Sequence, residues 1–320
     1  MTPEFNLIKQ YFTRPTRDTK LGVGDDAALI NLSAGMELAI SADMLVEGTH
    51  FFADCDAYQL GWKSLAVNIS DMAAMGANPK WATLAIALPE IKESWLAEFS
   101  RGFFACANSF NVDLIGGDTT RGPLTISVQI MGEVPIGKAI RRSGAKVGDE
   151  IWVSGKLGDA ALALAHIQGK LVLPEEASLT CAKALHTPQP RVVLGLALRD
   201  IANSAIDISD GLLADLGHIL EQSTVGATLE LSSIPHSTFA GFPIDLNDEH
   251  LRKMVLAGGD DYELCFTAPK EKHAEIVKIS EMTKLQLSCI GHVTNNTGLT
   301  LYGLDNEILN MKETGFDHFS

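Results

Sequence analysis

The residues best equipped for chemistry in this chain are aspartates set in turn-like, glycine-bearing contexts. Asp25 and Asp26 lie in Gly24-Asp-Asp-Ala27, Asp43 closes an apolar run, and Asp71 sits in Asn68-Ile-Ser-Asp-Met72. Asp118 follows in Gly116-Gly-Asp-Thr-Thr-Arg121, Asp207 and Asp210 in Ile206-Asp-Ile-Ser-Asp-Gly211, and Asp260 and Asp261 in Gly258-Gly-Asp-Asp-Tyr-Glu263. Taken singly, each reads first as a helix cap or turn former. Together they point elsewhere, because several stand where an apolar strand ends, the place where α/β folds hold ligands. Oxygen-only, acid-rich sets suit Mg2+, which keeps part of its water shell and bridges to nucleotide phosphates. Zinc-like Cys/His spacing is absent. So is the calcium-loop pattern, since Asp207-Ile-Ser-Asp-Gly211 is too short and lacks the closing Glu.

Two phosphate-binding motifs nearly match, and both fail on chemistry. Gly132-Glu-Val-Pro-Ile-Gly-Lys-Ala139 imitates a P-loop, but Ala139 stands where a metal-binding Ser or Thr is needed and Pro135 removes a backbone N–H. Gly22-Val-Gly-Asp-Asp-Ala27 imitates a dinucleotide fingerprint, with Asp43 at a suitable distance as the acid. A pyrophosphate there would lie against the carboxylates of Asp25 and Asp26 and be repelled unless a cation intervened.

Alternating strands and helices must position these acids. Patterning predicts strands at 38–43, 81–88, 112–115 (breaking at Gly116-Gly117) and 124–134, with helices at 58–76 and 93–110. The second helix is amphipathic through Leu96, Phe99, Phe103 and Ala107. After a linker at 135–139 come a strand at 150–154, helices at 157–168 and 191–202, a strand at 204–208 and a helix at 211–222. Further strands are predicted near 263–267, 286–292 and 299–303. The expectation is two α/β domains, 1–138 and 139–320, without internal repeat or low-complexity tract.

Composition narrows the class. The 320 residues are 46% hydrophobic and 20% charged, enough for two cores. A formal charge of −15 argues against nucleic-acid binding, and no basic stripe exists beyond the short run Lys138-Ala-Ile-Arg-Arg142. That run reads as a solvated loop or as a contact for one small phosphate ligand. An acidic enzyme can still take an anionic substrate when its acids hold metal ions, because the metals then supply the positive field. No apolar run spans a membrane, the first residues lack a signal-peptide pattern, and the odd set of 5 cysteines holds no CxxC pair. A cytoplasmic protein with small buried cysteines is the expectation.

At the acidic motifs the sequence resembles the thiamine-monophosphate kinase family, within the aminoimidazole-ribonucleotide-synthetase-like superfamily. The resemblance rests on Leu21–Leu29, Ser41–His50, Ala66–Gly76, Ile115–Gly122, Ala205–Leu212 and Gly258–Leu264, in order, and extends from about residue 4 to Phe316. It implies an N-terminal half-barrel sheet with helices that pairs with its twin in a homodimer, and a C-terminal α/β sandwich closing over ATP. It implies Mg2+ ligands at Asp26, Ser41, Asp43, Asp71, Asp118, Asp207 and Asp210, with Ala42 able to ligate only through its carbonyl where the family often has Thr. ATP contacts are implied at Gly117, Asp118, Arg142 and Ser209, and contacts to thiamine monophosphate at His50, Asp260 and Phe316. Asp260 stands where the family usually has Glu, so its reach is shorter. Phe316 replaces a frequent Trp or Tyr and can stack but not hydrogen-bond. His50 has a structural reading beside the ligand reading.

The residue inventory agrees with phosphate-to-phosphate transfer. No serine–histidine constellation and no kinase catalytic loop is present, so neither a covalent nucleophile nor a dedicated base is expected. A hydroxyl acceptor calls for a positioned base. A phosphate acceptor is already an oxyanion and needs relief of charge repulsion instead. Related ATP-using enzymes such as amidine cyclases, selenophosphate synthetases and hydrogenase-maturation proteins are the nearest rivals. The latter two carry a reactive Cys near one terminus, whereas no Cys precedes Cys55 and the sequence ends Asp317-His-Phe-Ser320. A non-catalytic acidic metal-binding protein is the alternative of another class.

Overall fold

The computed structural model describes residues 3–17, 19–311 and 315–316. The chain divides into two compact units, Met1–Met72 with Ala77–Gly137, and Ala73–Gly76 with Lys138–Ser320. Both are mixed α/β, the expected class.

In the N-terminal unit a short helix, α1 (Pro3–Leu7), runs into a π-helical turn at Ile8–Phe12. Strands β1 (Met36–Val46), β2 (Asn78–Leu88), β3 (Asp113–Arg121) and β4 (Thr125–Pro135) form a four-stranded sheet in the order β1-β4-β2-β3. β4 is antiparallel to β1 and β2, and β2 is parallel to β3, which leaves β1 and β3 as the two edges. Helix α3 (Glu93–Ser109) is the crossover that the parallel pair requires. Helix α2 (Ala57–Ala74) is apolar on almost every side, and Leu65, Ala66, Ile69 and Ala73 are fully buried. α2 and α3 meet backbone to backbone. A Cβ on Gly61 would stand 2.1 Å from the Phe99 carbonyl oxygen, and one on Gly102 1.8 Å from that of Tyr58, so only glycine fits at either point.

Two expectations in this unit are corrected. The strand expected to close at Asp43 runs on to Val46, still paired with β4, so Asp43 lies within it. The strand beginning near 112 does not break at Gly116-Gly117; β3 continues to Arg121, paired with β2 across a bulge between Ala82 and Thr83. Gly117 adopts φ +147°, and a Cβ there would lie 1.8 Å from the Leu84 carbonyl oxygen. The glycine lets two backbones approach rather than ending the strand. The P-loop imitation also resolves, since Gly132–Pro135 lie inside β4 and no phosphate-cradling helix start follows them.

The sheet buries Leu84, Ile86, Val128 and Ile130. Part of its other face is covered where Ala28, Ile30 and Leu38 pack on Trp81, Ile115 and Met131. Farther along β1, Ile40 and Met44 are each 56% exposed, an open apolar face.

The C-terminal unit holds β5 (Glu150–Ser154), β6 (Ser204–Asp207), β7 (Gly226–Glu230), β8 (Leu264–Ala268), β9 (Leu287–Thr294), β10 (Gly298–Tyr302) and β11 (Ile308–Leu309). They form one seven-stranded sheet, ordered β11-β10-β7-β9-β5-β8-β6 and antiparallel except for β7 with β10. Helices α4 (Asp159–Ile167), α5 (Glu175–His186), α7 (Leu212–Ser223) and α8 (Glu249–Ala257) share one core with Ile151, Val153 and Cys265 of the sheet. Strand alternation sends Trp152 to the other face, where it stacks with Phe266 and meets His273 of α9 (His273–Thr283). Helix α6 (Val192–Ala197) is shorter than the predicted 191–202 and gives way to turns. The elements α1, α5, α8, α9, β7 and β11 were not anticipated. For α8 a signal existed, because Asp248 is its N-cap and accepts from the N–H groups of His250 and Leu251.

Candidate functional site

In the N-terminal unit two of the acids, Asp43 and Asp71, come together at the β1 edge. Residues 41 and 43 are two apart on a strand and therefore share a face, while Asn68 and Asp71 are three apart on α2 and share a side of the helix. Ser41 Oγ donates to Asp71 Oδ2 at 2.5 Å, and the Asp43 backbone N–H, on the edge strand, donates to Asn68 Oδ1 at 3.0 Å. Asn68 is itself pinned, its amide donating to the Ser64 carbonyl at 3.0 Å. Burial, and then the charge of Asp71, push the Asp43 carboxyl up to about 7. The fold thus holds two carboxylates in mutual opposition, a state that a nearby cation would relieve.

The remaining sites of this unit are placed differently. Ala42 is exposed on the opposite face of β1. Asp26 is exposed at the tip of a small hairpin closed by Leu21 and Leu29, where its N–H donates to Asp25 Oδ1 at 2.9 Å. Gly117 and Asp118 lie on β3, the other edge, with Asp118 exposed beside Ala85. Three strand spacings, about 14 Å, separate the two edges of the sheet. His50 occupies the turn after β1, where its Nδ1 accepts from the Val46 N–H at 3.0 Å, leaving Nε2 to carry the proton of a neutral ring.

The C-terminal unit brings its predicted residues together except Arg142, whose carbonyl lies by Ser223 at the far end of α7. Asp207 ends β6 and is buried, and Ser209 and Asp210 follow in the half-buried loop before α7. This loop is laced to the 258–263 segment. Ile208 N–H donates to the Glu263 carbonyl, Tyr262 N–H to that of Ile208 and Asp260 N–H to that of Ser209, each at 2.8 Å. Phe316 N–H reaches the Asp210 carbonyl at 3.0 Å, so Phe316 joins the same place while its residue stays 52% exposed. Asp260 and Tyr262 both take left-handed backbone angles, φ +69° and +50°, and Tyr262 Oη donates to Asp260 Oδ1 at 3.1 Å. Strain of this kind survives only where surroundings enforce it, and it collects at functional sites. Arg142 is exposed on the loop after Lys138, within a stretch whose Arg141 carbonyl accepts from Ala205 N–H of β6 at 3.0 Å.

Two supports of this loop pair escaped the sequence reading. Asp215, in the first turn of α7, accepts with Oδ2 from the N–H groups of Ser209, Asp210 and Gly211 at 3.0, 3.0 and 3.1 Å. Burial pushes its carboxyl up to about 7, opposed by those N–H groups and aided by the Asp210 charge. From sequence it is an ordinary first-turn acid. Glu263 is buried, clasped by the Arg191 guanidinium through Nε at 2.7 Å and Nη2, and it also accepts from Ser154 Oγ at 2.5 Å.

The donor set fits Mg2+ in type. Among the described residues no three His, Cys, Asp or Glu side chains converge to hold a metal ion unaided. Mg2+ does not need such a cage, since one or two carboxylates with water and substrate phosphates suffice. The Ser41–Asp43–Asp71 group and the Asp207–Asp210 loop supply oxygen ligands of that kind. Among the described residues no helix is long and apolar enough to cross a membrane.

Residues 24–134 match the family described as AIR synthase related protein, N-terminal domain, and residues 146–303 match AIR synthase related protein, C-terminal domain. The chain is 44% identical over 321 residues to the thiamine-monophosphate kinase of Escherichia coli (strain K12), covering 99% of this chain and 98% of that one. The crystal structure of thiamine-monophosphate kinase from Stenotrophomonas maltophilia K279a superposes with a TM-score of 0.83 at 45% identity, covering 91% of this chain and 92% of the other. A structure described as AaThiL complexed with AMPPCP and TMP gives 0.77 at 28% identity, with 90% and 89% covered.

Proposed function

The chain belongs to the thiamine-monophosphate kinase family, and from that membership we propose that it transfers the terminal phosphoryl group of ATP to thiamine monophosphate, giving thiamine diphosphate. The observation that carries this reading is the 44% identity over 99% of the chain. The acid groups on both units support it.

We assign Asp26, Ser41, Asp43, Asp71, Asp118, Asp207 and Asp210, with the Ala42 carbonyl, to holding several Mg2+ ions. Gly117, Asp118, Arg142 and Ser209 are assigned to ATP, and His50, Asp260 and Phe316 to thiamine monophosphate. Bound Mg2+ supplies the positive charge that lets one phosphate approach another. The chain's own part is positioning. Asn68 and Ser41 fix Asp43 and Asp71, and Tyr262 orients the Asp260 carboxylate, whose reach is one methylene shorter than that of Glu. The engaged Nδ1 of His50 suits a ring that orients substrate rather than one that shuttles a proton.

The opposite-edge position of Asp118 supports a homodimer. Ile40 and Met44 offer an apolar face, and both edge strands end the sheet unpaired among the described residues. Two such sheets closing edge to edge would bring β3 of one copy beside β1 of the other, and Asp118 to the second copy's Asp43 and Asp71.

Transfer is direct and in line. Carboxylates engaged by metal are poor nucleophiles, and the acceptor oxyanion can attack without a relay. Kinetics should be sequential, and γ-labelled ATP alone should leave no label on the protein. The test follows thiamine diphosphate by chromatography with thiamine as the control acceptor. A labelled enzyme able to pass its phosphate on would overturn the in-line route, and absence of thiamine diphosphate would overturn the reading.

Phe316 offers a separate check. Its exposure of 52% argues against a core anchor. Phe316→Ala should raise KM for thiamine monophosphate about tenfold, since a stacked ring contributes roughly 0.5–1.5 kcal/mol beyond its buried area. KM for ATP should hardly move. A joint rise of both constants with a lower Tm would return Phe316 to a structural role.

A further inference from the structure

We infer that Asp215 is a positioning residue for the nucleotide: its carboxylate holds the loop that presents Ser209 and Asp210. The inference rests on the proposed kinase reading and adds to it a residue that touches no substrate. One oxygen, Oδ2, collects three consecutive backbone N–H groups, those of Ser209, Asp210 and Gly211. Consecutive N–H groups ahead of a helix form the kind of concavity that elsewhere cradles phosphate. Here the protein fills it with its own side chain, which is 3% exposed.

Two consequences follow. A nucleotide phosphate gains no N–H cradle at these amides and must be held through the side chains of the loop and the ions they bind. The loop also has its amides fixed on one side and its Ser209 and Asp210 carbonyls fixed on the other by Asp260 N–H and Phe316 N–H. Clamped from both sides, the short segment between β6 and α7 has little freedom, and its two polar side chains are presented in one arrangement. The 258–263 segment has its own anchors, Asp261 to the Gly158 N–H at 3.0 Å and Glu263 to Arg191. Loss of Asp215 should therefore loosen the nucleotide end far more than the acceptor end.

The test uses the full chain. Asp215→Leu keeps the branched shape at somewhat larger volume but accepts no hydrogen bond, whereas Asp215→Asn keeps an acceptor oxygen. Calorimetric titration with Mg2+ and AMPPCP, without acceptor, should show about tenfold weaker binding for the Leu variant and near-wild-type binding for Asn. KM for ATP should rise in parallel while KM for thiamine monophosphate stays within about threefold. Hydrogen exchange of the peptide spanning 206–214 should quicken in the Leu variant only. If Asp215→Leu does not fold, Asp215→Glu, which displaces the loop by one methylene, should give the same split. Unchanged AMPPCP binding in a folded Leu or Glu variant would overturn the inference. So would an equal rise of both constants that Asn fails to rescue. The calorimetric arm needs no acceptor, so a wild-type chain that binds AMPPCP but makes no thiamine diphosphate would count against the kinase reading alone.

Discussion

Asp71→Asn is expected to abolish turnover at every accessible Mg2+ concentration while the protein folds as wild type. The carboxylate accepts from Ser41 Oγ and bears on Asp43, so it belongs to a held group rather than to a free surface. The amide keeps its size and an acceptor, but it removes the charge a hard cation needs. Asp118→Asn should be equally inactive, though it stands on the opposite edge strand. If Asp118 serves the site of a second copy, refolding the two inactive variants together should restore activity. Random pairing makes half of the dimers mixed, each with one intact site, so about a quarter of wild-type activity should return. Thiamine diphosphate formation by the mixture reads this out. No recovery would show that Asp71 and Asp118 act within one copy, and near-normal turnover of folded Asp71→Asn would remove it from the ligand set.

The second large effect is on stability. Arg191→Met should destabilise the C-terminal unit by about 3–5 kcal/mol, because it strands the buried Glu263 carboxylate without its cation. For a unit of this size that corresponds to a fall in Tm of roughly 10 °C. Arg191→Met combined with Glu263→Leu should recover most of the loss, since removing both charges leaves no uncompensated one. Thermal unfolding followed by circular dichroism distinguishes the cases. An Arg191→Met protein melting at the wild-type temperature would show that Glu263 is held well enough by Ser154 alone. The double variant should nevertheless lose activity, because Glu263 helps to fix the segment carrying Asp260.

Much of the architecture was legible because burial leaves a periodic mark. The long strands β2 and β4, and the helices α2 and α3, follow from apolar runs and amphipathic spacing that any burial of those segments would demand. The elements that escaped are short or polar. α8 buries only Val255, Leu256 and Ala257 at its end, and β7 is a five-residue strand whose pairing partners, β9 and β10, are distant in sequence. Gly116-Gly117 reads as a break because two glycines look like a turn, whereas the missing side chain of Gly117 serves the approach of the neighbouring strand at Leu84.

For the site, the sequence by itself determined which side chains could carry the chemistry. Carboxylates in glycine-bearing turns offer oxygen ligands of the kind a hard cation takes, and the ordered motifs point to the family. Only the tertiary structure decided which of those acids stand together. Ser41, Asp43 and Asp71 meet because a strand repeats every two residues and a helix brings residues three apart to one side, yet nothing local says that this strand lies against that helix. The same holds for Asp215, whose carboxylate looks ordinary in sequence and gains its role from three N–H groups turned toward it. Residue type is a local property, but convergence depends on long-range packing, and a single sequence carries the first far more openly than the second.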